Sequence, residues 1–123
     1  MNTNTISRDE AALLLSKLLN ESTPVVAWFT SKNGPTVVLR GFVESITFEN
    51  GLLISSVRGR PGTSSTLVVP LPGNPLGSEC SFMFGDKREI EDSRREELAN
   101  KYGDAALIVL LPSGARLNLL FTP

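Results

Sequence analysis

The residue types that most often catalyse reactions at neutral pH are scarce in this chain. Its 123 residues contain no histidine and one cysteine, Cys80. Without histidine, neither a Ser-His-Asp nor a Cys-His nucleophilic arrangement can form, and one cysteine is too few for a thiolate zinc cage. The sequence also lacks the Gly-Lys-Ser/Thr core of a phosphate-binding P-loop. We therefore predict that the protein is not an enzyme and that it holds no metal or cofactor.

Carboxylates are the remaining groups that could catalyse a reaction or bind Mg²⁺. The densest acidic set is interleaved with basic residues and comprises Glu89, Glu91, Asp92, Glu96 and Glu97 among Lys87, Arg88, Arg94 and Arg95. Mixed charges at helical spacing are typical of a solvated surface with salt bridges. We predict such a surface here, and a magnesium-dependent carboxylate enzyme is the less favoured alternative.

Two arginines form a short match to a DNA-binding motif. Arg58-Gly59-Arg60-Pro61 has the core of an AT-hook, whose two arginines enter a narrow minor groove. The tetrapeptide lies between two predicted strands, and a hairpin loop with two exposed arginines is the alternative interpretation. The candidate binding residues are Arg58, Arg60 and Arg40, although the net charge of −1 gives nucleic-acid binding no support.

Cys80, Trp28 and Phe29 are predicted to be structural. Cys80 alternates with Phe82 in an apolar run, which indicates a buried, inert thiol. Trp28 and Phe29 are adjacent on a predicted strand and must point to opposite faces. We expect one of them in the core and the other beneath the first helix, in preference to an exposed position that stacks a nucleobase.

The location is predicted from the same residues. A lone cysteine fits a reducing compartment. The segment Met1–Ile6 has no signal-peptide pattern, and the apolar run Ala105–Leu111 is too short to cross a bilayer as a helix. We expect a cytoplasmic protein that is not inserted in a membrane.

Two helices are predicted. Ser7 and Glu10 form a capping box before an apolar stripe that spans Arg8–Asn20. The stripe consists of Ala11, Leu14, Leu15, Leu18 and Leu19.

A second helix is predicted over Asp86–Tyr102, with Gly103 as its C-cap. It has two candidate starts, a capping box of Asp86 with Glu89 or one of Ser93 with Glu96.

The remaining chain predicts strands separated by turns. Asn33-Gly34 and Asn50-Gly51 are tight-turn signals, and Gly41 predicts a bend in a long strand on which Phe42, Ile46 and Phe48 share a face. The predicted strands are Val25–Thr30, Thr36–Phe48, Leu52–Val57, Thr66–Leu71, Ser78–Phe84, Ala105–Leu111 and Ala115–Phe121. The apolar run Ala105–Leu111 predicts a central strand that is buried on both faces.

Residues 1–123 are expected to form a single domain, with the Pro- and Gly-rich stretch 70–77 as the candidate seam. The predicted fold class is mostly β with two helices (α+β). We expect a small antiparallel SH3-like, Sm-like or split barrel, with one helix at the N-terminus and one before the last two strands.

Residues 9–70 resemble the Sm-like family, especially its bacterial Hfq type. The segment 23–34 is similar to the family's first strand and turn, and the segment Leu39–Phe48, with Gly41, is similar to its bent second strand. The stretch Thr66–Pro70 is similar to the last strand, whereas Thr47 stands where the family usually has an aspartate. The resemblance implies a helix followed by a small bent barrel, and it assigns no binding residue.

The leading prediction is a non-catalytic small-barrel binding module with a protein partner or a second copy of itself, because the edge strands of an open barrel readily pair with a copy. The alternative is an Sm-like nucleic-acid or nucleotide-binding module that uses the Arg58–Arg60 loop.

Overall fold

A computed structural model of the chain describes residues 3–47, 51–56 and 65–123. The elements follow one another as β1 (Asn4–Ile6), α1 (Arg8–Asn20), β2 (Val25–Thr30), β3 (Thr36–Thr47), β4 (Gly51–Ser56), β5 (Thr66–Val69), β6 (Ser81–Asp86), a 3₁₀ helix (Lys87–Glu89), α2 (Arg95–Tyr102), β7 (Ala105–Leu110) and β8 (Arg116–Phe121). Phe48, Asn50, Val57, Arg58 and Arg60, for which predictions were made, lie outside the described residues.

The described strands form one antiparallel sheet in the order β1-β6-β7-β8-β2-β3-β4-β5. The prediction of a mostly β fold with two helices is confirmed. Among the described strands the sheet is open, with β1 and β5 as its two edges, so the strands do not close into a barrel. Helix α1 packs on one face of the sheet, where it contacts β3 and β6. We call this face the inner face and the opposite one the outer face.

Helix α1 begins as the sequence predicts. The Ser7 hydroxyl accepts a hydrogen bond from the Glu10 amide at 3.1 Å, and the Ser7 amide donates to Glu10 Oε1 at 3.2 Å. The helix buries Ala11, Leu15 and Leu18 in the core of the inner face. That core also takes inward side chains from strands β2 to β8.

Strand β3 contains the predicted irregularity, although it lies beyond Gly41. The register between β3 and β4 shifts between Val43 and Ser45, so that Glu44 is an extra, exposed residue. Gly41 fits a close approach of backbones, since a Cβ there would lie 1.7 Å from the Ser55 carbonyl oxygen.

The bulge reverses the alternation of side chains along β3. Val43 pairs with Ile54 and Ile46 pairs with Leu52, and both partners are buried in the inner core. The prediction that Phe42 and Ile46 share a face is therefore wrong, because the extra residue moves Ile46 to the face of Val43.

The predicted second helix, Asp86–Tyr102, is wrong in its first half. Strand β6 runs on to Asp86, whose carboxylate accepts from the Arg88 amide at 2.9 Å and caps only the 3₁₀ helix. The chain is then extended at Ile90, which is 1% exposed on the outer face. Burial of Ile90 against the sheet favours the extended backbone over a continuous helix.

The alternative start at Ser93 is also wrong. The N-cap of α2 is Arg94, which makes no capping hydrogen bond with its side chain. Gly103 ends the helix as predicted, with φ of +127°. A Cβ at Gly103 would lie 2.2 Å from the carbonyl carbon of Phe121, so the site has no room for a side chain.

The outer face of the central strands is covered by the segment from the 3₁₀ helix to the end of α2, residues 87–102. Between this segment and the strands lies a second core, which consists of Val26, Trp28, Ile90, Leu98, Ala99, Ala106, Ile108 and Leu120. Strand β7 lies between the two cores and is buried on both faces, as predicted for the apolar run.

The candidate seam at 70–77 connects β5 to β6. Leu71 in this stretch is buried in the inner core, and its carbonyl accepts from the Gly77 amide at 3.1 Å. The stretch therefore packs onto the same core as the strands that it joins.

Candidate functional site

The described residues do not test the predicted binding set of arginines. Arg58 and Arg60 lie outside them. Arg40 is described, and it is exposed on β3 opposite Val26, with its side chain on the outer side of the sheet. The structure therefore gives a position to only one member of the predicted set.

The charged segment that follows β6 is held by ion pairs, as predicted. Asp86 contacts Arg88 at 2.7 Å, and Lys87 contacts Glu96 at 2.7 Å. Hydrogen bonds from the side chain and the amide of Arg88 lower the pKa of Asp86 to about 2. Within the described ranges, no three His, Cys, Asp or Glu residues are grouped so that they could hold a metal ion.

Cys80 is half-buried in the connection between β5 and β6. Burial, assisted by the nearby Glu79 carboxylate, raises the pKa of the thiol above its ordinary value. A raised pKa keeps the sulfur protonated at neutral pH, which agrees with an inert thiol.

An apolar groove lies between α1 and the edge of the sheet formed by β1 and β6, and we call it the edge groove. It has a volume of about 420 Å³ and is lined by Asn4, Ile6, Glu10, Leu13, Leu14, Lys17 and Phe84. Leu13 is the most unusual of these residues, since 73% of its surface is exposed. A leucine so exposed gains little free energy from folding, and it marks a surface that a partner could bury.

The edge groove uses a second face of α1. Glu10, Leu13, Leu14 and Lys17 follow the i, i+3, i+4, i+7 spacing of one helical stripe. This stripe lies roughly 120° around the helix from the buried stripe that includes Leu15. Helix α1 therefore has one apolar stripe turned to the core and a shorter one turned to the groove.

A second candidate is a polar cavity of about 470 Å³ on the outer face. It lies between the 3₁₀ helix and the turns that join β2 to β3 and β7 to β8. Its lining residues are Trp28, Thr30, Ser31, Lys32, Thr36, Arg88, Glu89, Ile90, Glu91, Gly114, Arg116 and Asn118.

Trp28 joins the floor of the polar cavity to the covering segment. Its indole N–H donates to Asp92 Oδ2 at 2.9 Å. Hydrogen bonds from the Arg94 side chain, the Arg94 amide and Trp28 hold the pKa of Asp92 far below its ordinary value. Asp92 is therefore a carboxylate at neutral pH and fixes the loop over the indole.

The two adjacent aromatics point to opposite faces, as predicted. Trp28 is buried beneath the segment that contains Ile90 and Leu98, and Phe29 packs against the inner core. The covering helix over Trp28 is thus α2 with its preceding loop, whereas α1 lies on the other face.

Both candidate sites contain residues that the sequence analysis missed. Leu13 lies outside the predicted core stripe of α1, and this leucine on a polar face was the available signal. In the sequence, Arg116 and Asn118 alternate with the apolar residues of the last predicted strand. They line a cavity only because the segment 87–91, predicted as helix, is folded over them.

Comparison with known proteins finds no matching family model, no similar curated sequence and no similar solved structure. The resemblance to the Sm-like family stays a prediction, since no relative tests it.

Among the described helices, none combines the length and the apolar composition needed to cross a membrane.

Proposed function

We propose that the protein is a non-catalytic interaction module that self-associates through the edge groove. The observation that carries the proposal is Leu13, which is 73% exposed and lines an apolar groove. Leu14, Ile6 and Phe84 continue the apolar surface from Leu13 down to the inner core. A second copy that covers this surface would remove the leucine from water, which is the main driving force of association.

The charges beside the groove suit a second copy of the same chain. Glu10 and Lys17 flank the two leucines at opposite ends of the stripe. In a two-fold contact between antiparallel α1 helices centred between Leu13 and Leu14, residue 10 of one copy faces residue 17 of the other. Each Glu10 would then meet a Lys17, and each Leu13 a Leu14. This self-complementary pattern is what an isologous interface requires.

The sheet edge beside the groove supplies further surface. Among the described strands, β1 pairs only with β6, so its other side is an edge of the sheet where backbone groups have no described strand partner. A stable dimer buries about 1,200–2,000 Å² in total, which one helix stripe alone does not provide. The exposed residues of β1, Asn4 and Thr5, extend the contact along this edge.

The test measures mass against concentration for wild type and Leu13→Glu, by native mass spectrometry and light scattering. We expect a wild-type dimer that Leu13→Glu converts to monomer, because a carboxylate would have to be desolvated at the centre of the interface. Val37→Glu is the matched control, since Val37 is 48% exposed away from the groove. A monomeric wild type at all concentrations would refute the proposal.

Charge reversal at Glu10 and Lys17 tests whether these two residues pair across the proposed interface. Lys17→Glu alone should weaken the dimer, because it sets two acidic residues against each other. The double variant Glu10→Lys, Lys17→Glu should restore it; because the change at residue 10 also removes the capping bond from the Ser7 amide, circular dichroism must show that α1 is intact. If Val68→Glu on the opposite edge strand dissociates the protein while Leu13→Glu does not, the contact lies at β5 and the groove assignment is wrong.

The nucleic-acid alternative stays a prediction that depends on Arg58 and Arg60. An oligonucleotide retained in the same mass spectra, and lost in the Arg58→Ala, Arg60→Ala double variant, would support it over self-association. The cytoplasmic location likewise stays a prediction, which rests on the single cysteine.

A further inference from the structure

The outer core is apolar except at one end, where a polar side chain is buried. Asn118 is 9% exposed and is the one buried polar residue among the described parts of the chain. It lies between Trp28 and Ile108 in the strand pairing, and its Oδ1 accepts from Arg116 Nε at 3.1 Å. Burial of an amide costs free energy that an apolar side chain here would avoid. The buried amide of Asn118 therefore indicates a position that contributes polar contacts to a binding site.

A row of polar side chains crosses three strands, next to the row that contains Trp28 and Asn118. Thr36, Thr30 and Arg116 are cross-strand neighbours on β3, β2 and β8. The hydroxyls of Thr30 and Thr36 lie 2.9 Å apart, and all three side chains line the polar cavity. The floor of the cavity is thus rich in hydrogen-bonding groups fixed on rigid strands, which is the arrangement that binds a polar ligand in one orientation.

Five charged side chains line the cavity, and three of them have ion-pair partners, since Arg88 contacts Asp86 and Arg116 contacts Glu89. Arg116 lies 3.6 Å from Glu89, so these two lining residues offset each other. Lys32 and Glu91 also line the cavity and are exposed, and no ion pair within residues 3–47, 51–56 and 65–123 involves either. The Lys32 side chain lies over Gly114, where a Cβ would come within 3.0 Å of its Cδ.

From these features we infer that the polar cavity binds a small zwitterion of the free amino-acid type. Its carboxylate pairs with Lys32, its ammonium group pairs with Glu91, and a polar side chain reaches the hydroxyls of Thr30 and Thr36 and the amide of Asn118. A cavity of about 470 Å³ falls within the size range of small-ligand sites. The site lies on the outer face, away from the edge groove, so it is independent of the proposed self-association.

Trp28 makes the inference directly measurable. It is the single tryptophan of the chain, and it forms part of the cavity floor. Its fluorescence is recorded while the intact protein is titrated with glycine, serine, glutamine, glutamate and arginine, each to about 10 mM, with thermal unfolding as the second readout. We expect a saturable change with at least one polar amino acid and a higher unfolding temperature at the same concentrations.

Two analogues separate the charges of the ligand. The matching N-acetyl amino acid keeps the carboxylate and lacks the ammonium group, and the matching amide keeps the ammonium group and lacks the carboxylate. Each should bind at least tenfold more weakly than the amino acid. Equal binding of the N-acetyl analogue would overturn the zwitterion assignment and leave an anion site.

Variants at the mouth assign the contacts. Lys32→Ala and Glu91→Gln should each weaken binding at least tenfold, and the matched α2 variants Lys101→Ala and Glu97→Gln should not change it. No response to any of the five amino acids in either readout would refute the inference. A response that Lys32→Ala and Glu91→Gln leave unchanged would refute the assigned cavity.

Discussion

The two faces of the sheet are buried by different means. On the inner face, one capped helix and the inward side chains of β2 to β8 form a core whose buried residues are all hydrophobic. On the outer face, a 3₁₀ helix, an extended loop and the eight-residue α2 cover only the central strands. Polar contacts hold this second cover in place, notably the bond from Trp28 to Asp92.

This difference has a physical consequence. The inner cover is a regular helix whose own sequence specifies its start and its buried stripe. The outer cover has no continuous apolar stripe, so its path is determined by a few side chains that meet the sheet, such as Ile90 and Leu98. We therefore expect the inner face to contribute more to stability and the outer face to carry the adaptable, polar site.

Neighbouring residues of β7 give the most direct comparison of the two faces. Leu107 belongs to the inner core and Ile108 to the outer core, and both are fully buried. We expect Leu107→Ala to lower the free energy of unfolding by about 3–5 kcal/mol and Ile108→Ala by about 2–3 kcal/mol, because the short outer segments can relax into the gap. Urea denaturation measures both values. A larger loss for Ile108→Ala would contradict the proposed difference between the faces.

We expect the next largest loss of stability when the hydrogen bond between Trp28 and Asp92 is removed, because this bond holds segment 87–102 on the outer face. Asp92→Ala leaves the indole N–H of Trp28 without its acceptor and should cost about 1–3 kcal/mol in urea denaturation. Asp92→Asn retains an acceptor and should recover part of this loss. Glu97→Ala on the exposed side of α2 is the control, with an expected change within about 0.5 kcal/mol. If Asp92→Ala lowers the free energy of unfolding no more than Glu97→Ala does, the bond between Trp28 and Asp92 contributes little to stability.

The difference between the two faces also explains which elements of the fold could be predicted from the sequence. Helix α1, its capping box and the doubly buried β7 were predicted because local signals and burial agree there. The segment 86–94 was predicted as helix from its charges and spacing, but Ile90 is buried by packing that local sequence does not encode. Whether the sheet closes could not be predicted for a related reason, since closure depends on whether the edge strands β1 and β5 meet.

The candidate sites follow the same pattern. Leu13 could have been recognised from the sequence as a leucine outside the core stripe of α1. The polar cavity could not, because it joins Lys32, Arg116 and Glu91 from three separate segments around the floor. Their proximity depends on strand order and on the extended loop, both of which are tertiary properties.

Variants at two serines compare an observed helix cap, Ser7, with one that was only predicted, Ser93. Ser7→Ala removes the cap of α1 and should lower the free energy of unfolding by about 1 kcal/mol. Ser93→Ala should change it by less than about 0.5 kcal/mol, because α2 has Arg94 as its N-cap and Ser93 makes no capping bond. Thermal or urea denaturation of the two single variants decides this. A cost at Ser93 equal to that at Ser7 would contradict the observed start of α2.

The smallest expected effect concerns the ion pair at the start of the outer cover. Arg88 contacts Asp86 at 2.7 Å and lowers the pKa of that carboxyl to about 2. An unfolded aspartate has a pKa of about 3.9, so between these values the unfolded chain binds the proton first. The stabilisation by the pair is therefore complete above about pH 4 and is lost as the pH falls towards 2.

Arg88→Ala should lower the free energy of unfolding at pH 7 by less than Ser7→Ala does, because the arginine side chain is 58% exposed. The gap between wild type and Arg88→Ala should shrink below pH 4 and close near pH 2, as urea denaturation at pH 7, 4 and 2 would measure. Lys101→Ala, which removes a positive charge from α2 at a distance from Asp86, should show no such narrowing. A gap of constant size down to pH 2 would mean that Arg88 stabilises the outer cover through packing of its aliphatic stem, since only the charge interaction depends on the ionised carboxylate.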